Sequence, residues 1–258
     1  GNALKAHGKL VIGENTSGTA TATGFTDSTS VVTFPDGYHS RGTVGVEVEL
    51  GNASTLVDIG CLMIGEGSRN GVDANDTRPD FTVTGTSGSL TFDGAQLRNF
   101  RDITFTSACS IQNSDIECFD LVQASADIEN CTIRTTSLTN TATLSDPTFG
   151  TTTDLNNVEF VQEGAGHAIE ITSPGTYDLQ DILFTGYGGT PGTNSTPSSG
   201  AADAAVYNNS GGAVTLNING TGNQPSVRNA ASSTTTVAQT VTVQVTCVDT
   251  SGLLLIHI

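Results

Sequence analysis

Residues 102–137 read DITFTSACSIQNSDIECFDLVQASADIENCTIRTTS, and inside this stretch Ile111 and Ile116 stand five positions apart, as do Ile128 and Ile133. The same apolar pair recurs as Ile59/Ile64, Phe92/Leu97, Leu155/Phe160 and Leu179/Phe184, with first members advancing by 33, 19, 17, 27 and 24 residues. Two positions after each first member stand Cys61, Gly94, Asn113, Asn130, Asn157 and Asp181. Five of these six are residue types that enter the left-handed backbone region at little cost, so the turn chemistry repeats with the apolar pair. A repeat of this length is the signature of a stacked architecture.

A further short apolar segment precedes each pair: Val46 and Val48, Phe81 and Val83, Ile103 and Phe105, Leu121 and Val122, Ala142 to Leu144, then Ile169 and Ile171. Three short strands per repeat predict an all-β fold, a right-handed single-stranded parallel β-helix. A 17-residue step at roughly 3.3 Å per residue gives a perimeter near 56 Å, enough for a three-sided circuit. Longer steps leave slack for loops, and that is where surface function is expected.

The helix is expected over 43–230, with a last circuit from Ala205 to Tyr207, Val214 to Ile218 and Val227. Residues 1–42, rich in Gly, Thr and Ser, are expected to form a strand-containing cap, because an open end exposes apolar side chains and strand edges. The run from Gly186 to Asp203 reads as a loop, and Asn229 to Thr236 as a polar linker. Residues 231–258 then carry two strands: the alternation of Thr240 to Val248 (TVTVQVTCV), followed by Leu253 to Ile258. The abrupt ending predicts a longer parent chain or a missing partner strand.

The 258 residues carry 26 Asp and Glu against 9 Lys and Arg, a net charge of −17, which argues against unaided binding to nucleic acid or to an anionic membrane. No apolar run nears the roughly 20 residues of a membrane span, and Gly1 to Ile12 lacks a secretory leader, so no membrane insertion is expected. Cys61, Cys109, Cys118, Cys131 and Cys247 form an odd set without zinc spacing, which predicts buried free thiols and assembly in a reducing compartment. His7, His39, His167 and His257 are scattered, with no serine-triad element. No phosphate loop or dinucleotide fingerprint occurs, and no cofactor is implied.

Stacking should align the residues just before the repeat pairs, Asp58, Thr91, Ser110, Asp127, Asp154 and Asp178, as an outward row with Asp154 beside Asp178. Asp127, Asp154 and Asp178 are therefore candidates for glycan or cation binding. Carboxylates about 5 Å apart also suit a retaining glycosidase, while the simpler reading is a solvated acidic face that discourages aggregation. The segment GVDANDTRPD, Gly71 to Asp80, offers Asp73, Asn75, Asp76 and Asp80 as hard oxygen ligands for calcium, or else forms an ordinary turn with Arg78 paired to an acid. Asn113, Asn130, Asn157 and Asp181 are expected to form a structural ladder at the turn. Thr-x-Thr fragments such as Thr82 and Thr84 are out of register with one another, against an ice-binding face.

Across residues 102–137, in DLNNVEFVQEGAGHAIEI (154–171) and in DAAVYNNSGGAVTLNINGTGNQPSVRN (203–229), the chain resembles β-helical virion structural proteins of tailed bacteriophages. The TVTVQVT strand resembles the lead into a further β-sandwich module of such proteins. The resemblance implies a tail spike or fibre component, an appendage or a capsid decoration, assembled in the host cytoplasm into the virion. It implies a homotrimer in contact with other virion proteins and recognition of a host-surface glycan. Some members cleave host polysaccharides, but no catalytic motif of theirs matches here. The lack of Trp and the four Tyr weigh toward attachment and structure over a sugar-cleaving groove.

Overall fold

Each strand finds its hydrogen-bonded partner about three strands further along the chain, so the backbone passes the same sheet once per circuit. The structure, a computed structural model, describes residues 77–239 apart from 85–87, 106–108, 125, 151–153 and 193–195, together with 3–5, 9–12, 20–22, 31–34, 45–50, 55–60 and 62–68. Among the described residues every strand pairing is parallel and there is no helix. The architecture is all-β, a topology compatible with a β-helix or solenoid.

The first sheet stacks β1 (Ala3–Lys5), β4 (Val31–Phe34), β7 (Leu62–Gly65), β10 (Gln96–Arg98), β13 (Asp115–Cys118), β16 (Thr132–Thr135), β19 (Glu159–Gln162) and β22 (Leu183–Thr185). The second stacks β2 (Lys9–Ile12), β5 (Gly45–Leu50), β8 (Asp80–Thr84), β11 (Asp102–Phe105), β14 (Asp120–Val122), β17 (Ala142–Ser145), β20 (His167–Ile171), β23 (Val206–Asn208) and β25 (Val227–Asn229). The third contains β3 (Ala20–Ala22), β6 (Thr55–Ile59), β9 (Gly88–Asp93), β12 (Ser110–Gln112), β15 (Asp127–Glu129) and β18 (Leu155–Asn156). A fourth, β21 (Gly175–Gln180), β24 (Ala213–Asn219) and β26 (Thr234–Gln239), follows the third in chain order.

Alternation sends one side chain in and the next out, and the inward ones align. In the first sheet Met63, Leu97, Ile116, Ile133, Phe160 and Phe184 are successive register partners. In the second the column runs Phe81, Ile103, Leu121, Leu144, Ile169, Val206 and Val227. In the third it runs Phe92, Ile111, Ile128 and Leu155. Burying each such side chain contributes roughly 1.5–3 kcal/mol, whereas a surface ion pair contributes about 0–1. The columns therefore hold the stack, and the surface pairs of Arg134 with Asp115 (3.1 Å) and Glu163 (2.9 Å) are secondary.

The five-residue spacing has a concrete cause. Between third and first sheets the chain turns in two residues: Gly94–Ala95, Asn113–Ser114, Asn130–Cys131 and Asn157–Val158, and Asp181–Ile182 in the next circuit. The first residue of each is left-handed, with φ of 68°, 50°, 54°, 49° and 55°, and the second is buried. One outward and one left-handed residue, then an inward and an outward one, bring the chain back to an inward position. The first pair departs from this rule: β6 ends one residue early, so Met63 enters the column while Ile64 pairs with outward Arg98.

Leu155 and Leu179 are also not paired in register. Leu155 donates from its N–H to the Thr148 carbonyl, and its own carbonyl accepts from the Gly150 N–H, so Phe149 is its bridge partner. Phe149 thus takes the ladder place opposite Leu155, while β21 still meets the end of β18, where the Asn157 N–H donates to the Gln180 carbonyl at 3.3 Å, and pairs with β24 in the fourth sheet. Within the second sheet, Val122 is 45% exposed and belongs to the outer face, while Leu121 alone joins the column.

Strand pairing also crosses both expected boundaries. Strands β1 to β4, inside 1–42, belong to the same three sheets as their successors. Likewise β26 continues in register upon β24, so residues 234–239 extend the stack instead of forming a linker. The strands expected at Thr240 to Val248 and Leu253 to Ile258 lie outside the described residues, as do Cys61, Cys247, His7, His39 and His257.

Candidate functional site

The outer face of the second sheet carries a groove of about 310 Å³, lined by Asp120, Leu121, Val122, Gln123, Ala124, Ser145, Asp146 and Thr148. Its floor follows from register: Val122 sits beside Ser145 because Leu121 is opposite Leu144. Its wall is the excursion that leaves β17 at Asp146, a left-handed residue with φ of 45°. Gln123 anchors that wall, accepting from the Thr148 N–H at 3.2 Å while donating to the Ala126 carbonyl at 3.1 Å. Asp146 is braced from the next circuit, where its N–H donates to the Glu170 carbonyl and its carboxylate accepts from the Thr172 N–H (2.7 Å) and hydroxyl.

The result is a groove with two carboxylates, two hydroxyl side chains and one exposed branched apolar residue. Carboxylates accept hydrogen bonds from hydroxyl or ammonium groups, and Val122 offers an apolar contact. No Lys, Arg or His is among the lining residues. Composition drew attention away from these positions, although the 27-residue step from Ile128 to Leu155, which contains the excursion, marked the circuit with slack.

The outward row expected on the third sheet exists in part. Asp58, Thr91, Ser110 and Asp127 are consecutive partners, and Asp127 accepts from the Asp154 N–H at 3.0 Å. Asp178 stands opposite Asn217, whose amide donates to its carboxylate at 2.7 Å. Asp154 and Asp178 are not register partners.

Of the calcium candidates, Asp73, Asn75 and Asp76 lie outside the described residues. Both carboxylate oxygens of Asp80 accept from Arg101, at 2.8 and 2.6 Å. Among the described residues no group of three or more His, Cys, Asp or Glu is arranged for a metal ion.

At the turn, Asn157 donates to the Asn130 side-chain oxygen at 2.5 Å, and Asn113 donates to Asp93 at 2.8 Å. Asp181 accepts from the Thr221 N–H (2.5 Å) and hydroxyl and from Gln180, which holds its carboxyl below the usual range, the Thr221 N–H being the main cause. Burial pushes the Cys109 and Cys131 thiols up to about 12, and Cys118 is raised as well, also by burial. All three are free and buried. No protein-family model, curated protein or solved structure matches the chain.

Proposed function

We propose that the chain is a right-handed single-stranded parallel β-helix serving as a surface component of a tailed-phage virion, a spike, fibre, appendage or decoration that attaches to host-surface glycan without cleaving it. The right hand follows from the strong preference of parallel crossover connections. The groove floored by Val122 and Ser145 carries the attachment reading, because it joins hydrogen-bond acceptors to an exposed apolar contact on a braced scaffold. Its acidic lining favours a neutral or amino-bearing sugar over a uronate or phosphorylated one.

The virion reading rests on the sequence resemblance, and with it come a homotrimer, contacts to other virion proteins and assembly in the host cytoplasm. Parallel packing of thin rods would cover the outer faces that a lone solenoid leaves to water. Binding of the chain to neutral and to anionic host polysaccharides, with Val122→Arg and Ser145→Arg variants beside it, tests the site. At least tenfold weaker binding by the variants at unchanged melting temperature is expected; equal binding contradicts it. Release of reducing ends or unsaturated sugars would instead establish a polysaccharide depolymerase.

A further inference from the structure

The last strands of two sheets are covered by their own chain. Among the described residues β22 is the final strand of the first sheet, and the backbone of Phe184 there makes both its outward bonds to one side chain. The Phe184 N–H donates to Asn223 Oδ1 at 2.8 Å, and Asn223 Nδ2 donates to the Phe184 carbonyl at 2.9 Å. The Asn223 N–H adds a bond to the Ile182 carbonyl at 3.2 Å. A primary amide has the donor and acceptor of a peptide group, so Asn223 stands in for one residue of a next strand.

Among the described residues β25 is the final strand of the second sheet. Its Asn229 N–H donates to the Ser199 carbonyl at 2.8 Å, the Ser198 N–H donates to the Ala230 carbonyl at 3.1 Å, and Asn229 Nδ2 donates to the Thr196 carbonyl at 3.2 Å. Positions 198 and 199 meet 230 and 229, so this strap runs against β25 where all the sheets run parallel. Gly200 lets it lie close: its φ is 100°, and a Cβ there would collide with the Val227 carbonyl. The strap belongs to the run Gly186 to Asp203, whose composition shows a loop and nothing of its attachment.

An uncovered parallel edge is a row of unpaired donors and acceptors that accepts another strand. We propose that Asn223 and the strap Thr196–Gly200 are edge stoppers that prevent a second copy of this chain from stacking end to end on the first and second sheets. A rod built from repeating circuits has no intrinsic length limit, and these two devices supply one. An antiparallel strap is suited to the task, since its outer edge presents the wrong polarity for continuing a parallel stack.

The test uses the full chain with Gly200→Val, Asn223→Ala and both together, examined by sedimentation velocity over a hundredfold concentration range. Amide exchange at Asn229 and Phe184 reports whether each edge has opened. The wild type is expected to keep one mass at all concentrations. The double variant, with both amides exchanging at least tenfold faster, is expected to form linear assemblies whose mass rises with concentration. A double variant with opened edges and unchanged mass overturns the proposal, as does unchanged protection at Asn229 in Gly200→Val. Should the double variant fail to fold, each single variant carries the same two readouts for its own edge.

Discussion

Arg78 donates from Nη1 to Thr136 Oγ1 at 2.9 Å across 58 residues of sequence, and both side chains are fully buried. The bond lies where the chain passes from the first sheet to the second, and it ties the circuit of β8 to that of β17. A guanidinium cannot shed its proton, so this corner has to satisfy it internally. Arg78→Ala removes the bond and leaves a cavity, and a loss of about 3 kcal/mol is expected in urea unfolding. Arg78→Met, which keeps the packed stem, is expected to cost less.

The two-residue turn predicts opposite outcomes at one position. Gly94 has φ of 68° and open space where a Cβ would stand, matching the stations of Asn113 and Asn130. Gly94→Asn should therefore leave stability within about 0.5 kcal/mol or raise it, by restricting the unfolded chain. Gly94→Val should lower it by about 1–2 kcal/mol, because a branched side chain resists the left-handed region. Paired thermal melts check both.

His167 gives the fold an acid-side weakness. Its Nδ1 lies 2.5 Å from the Ala204 carbonyl and so carries the proton, its ring stacks on Tyr207 at 5.1 Å, and Nε2 is buried without a partner. Burial lowers its pKa from 6.5, opposed first by the Ala204 bond, and the Arg228 charge lowers it further against weaker raising effects of Glu170 and Asp203. With the folded value below the unfolded one, the unfolded chain binds the proton first. Stability should be unaffected by this group above about pH 6.5 and decline as pH falls below it. His167→Phe, which keeps a stacked ring, should flatten that slope in melts taken between pH 7 and pH 5.

The buried thiols should be inert in the native state. Cys109 and Cys131 are pushed up to about 12 and Cys118 is raised, so little thiolate exists at pH 8. Iodoacetamide followed by peptide mass mapping should leave these three unmodified in the folded chain and label them in urea.

The columns were legible because a short circuit must restore an inward side chain after each turn, which writes the Ile111/Ile116 spacing into the sequence. The Asn positions were legible for the same reason, since few residues accept φ near 50°. Ile64 was misleading because shortening β6 by one residue moves Met63 inward without changing composition. The groove and the end stoppers were hidden, because Gln123 with Thr148, and Asn223 with Phe184, meet through folding and follow no period. Polar outward residues carry no alternation signal that separates a bare face from a recognition face.

Spin labels along one outer row of the first sheet measure the stacking itself. Gln96, Asp115, Thr132, Glu159 and Leu183 are successive partners, so Gln96 and Glu159 are three rungs apart and Gln96 and Leu183 four. Labels paired at these sites, in a chain whose native cysteines are replaced by alanine and which is diluted with unlabelled chain, should read roughly 14 and 19 Å, a step of about 4.8 Å per circuit with label offset common to both. Separations that fail to rise from the first pair to the second, or that exceed about 30 Å, would contradict the stack.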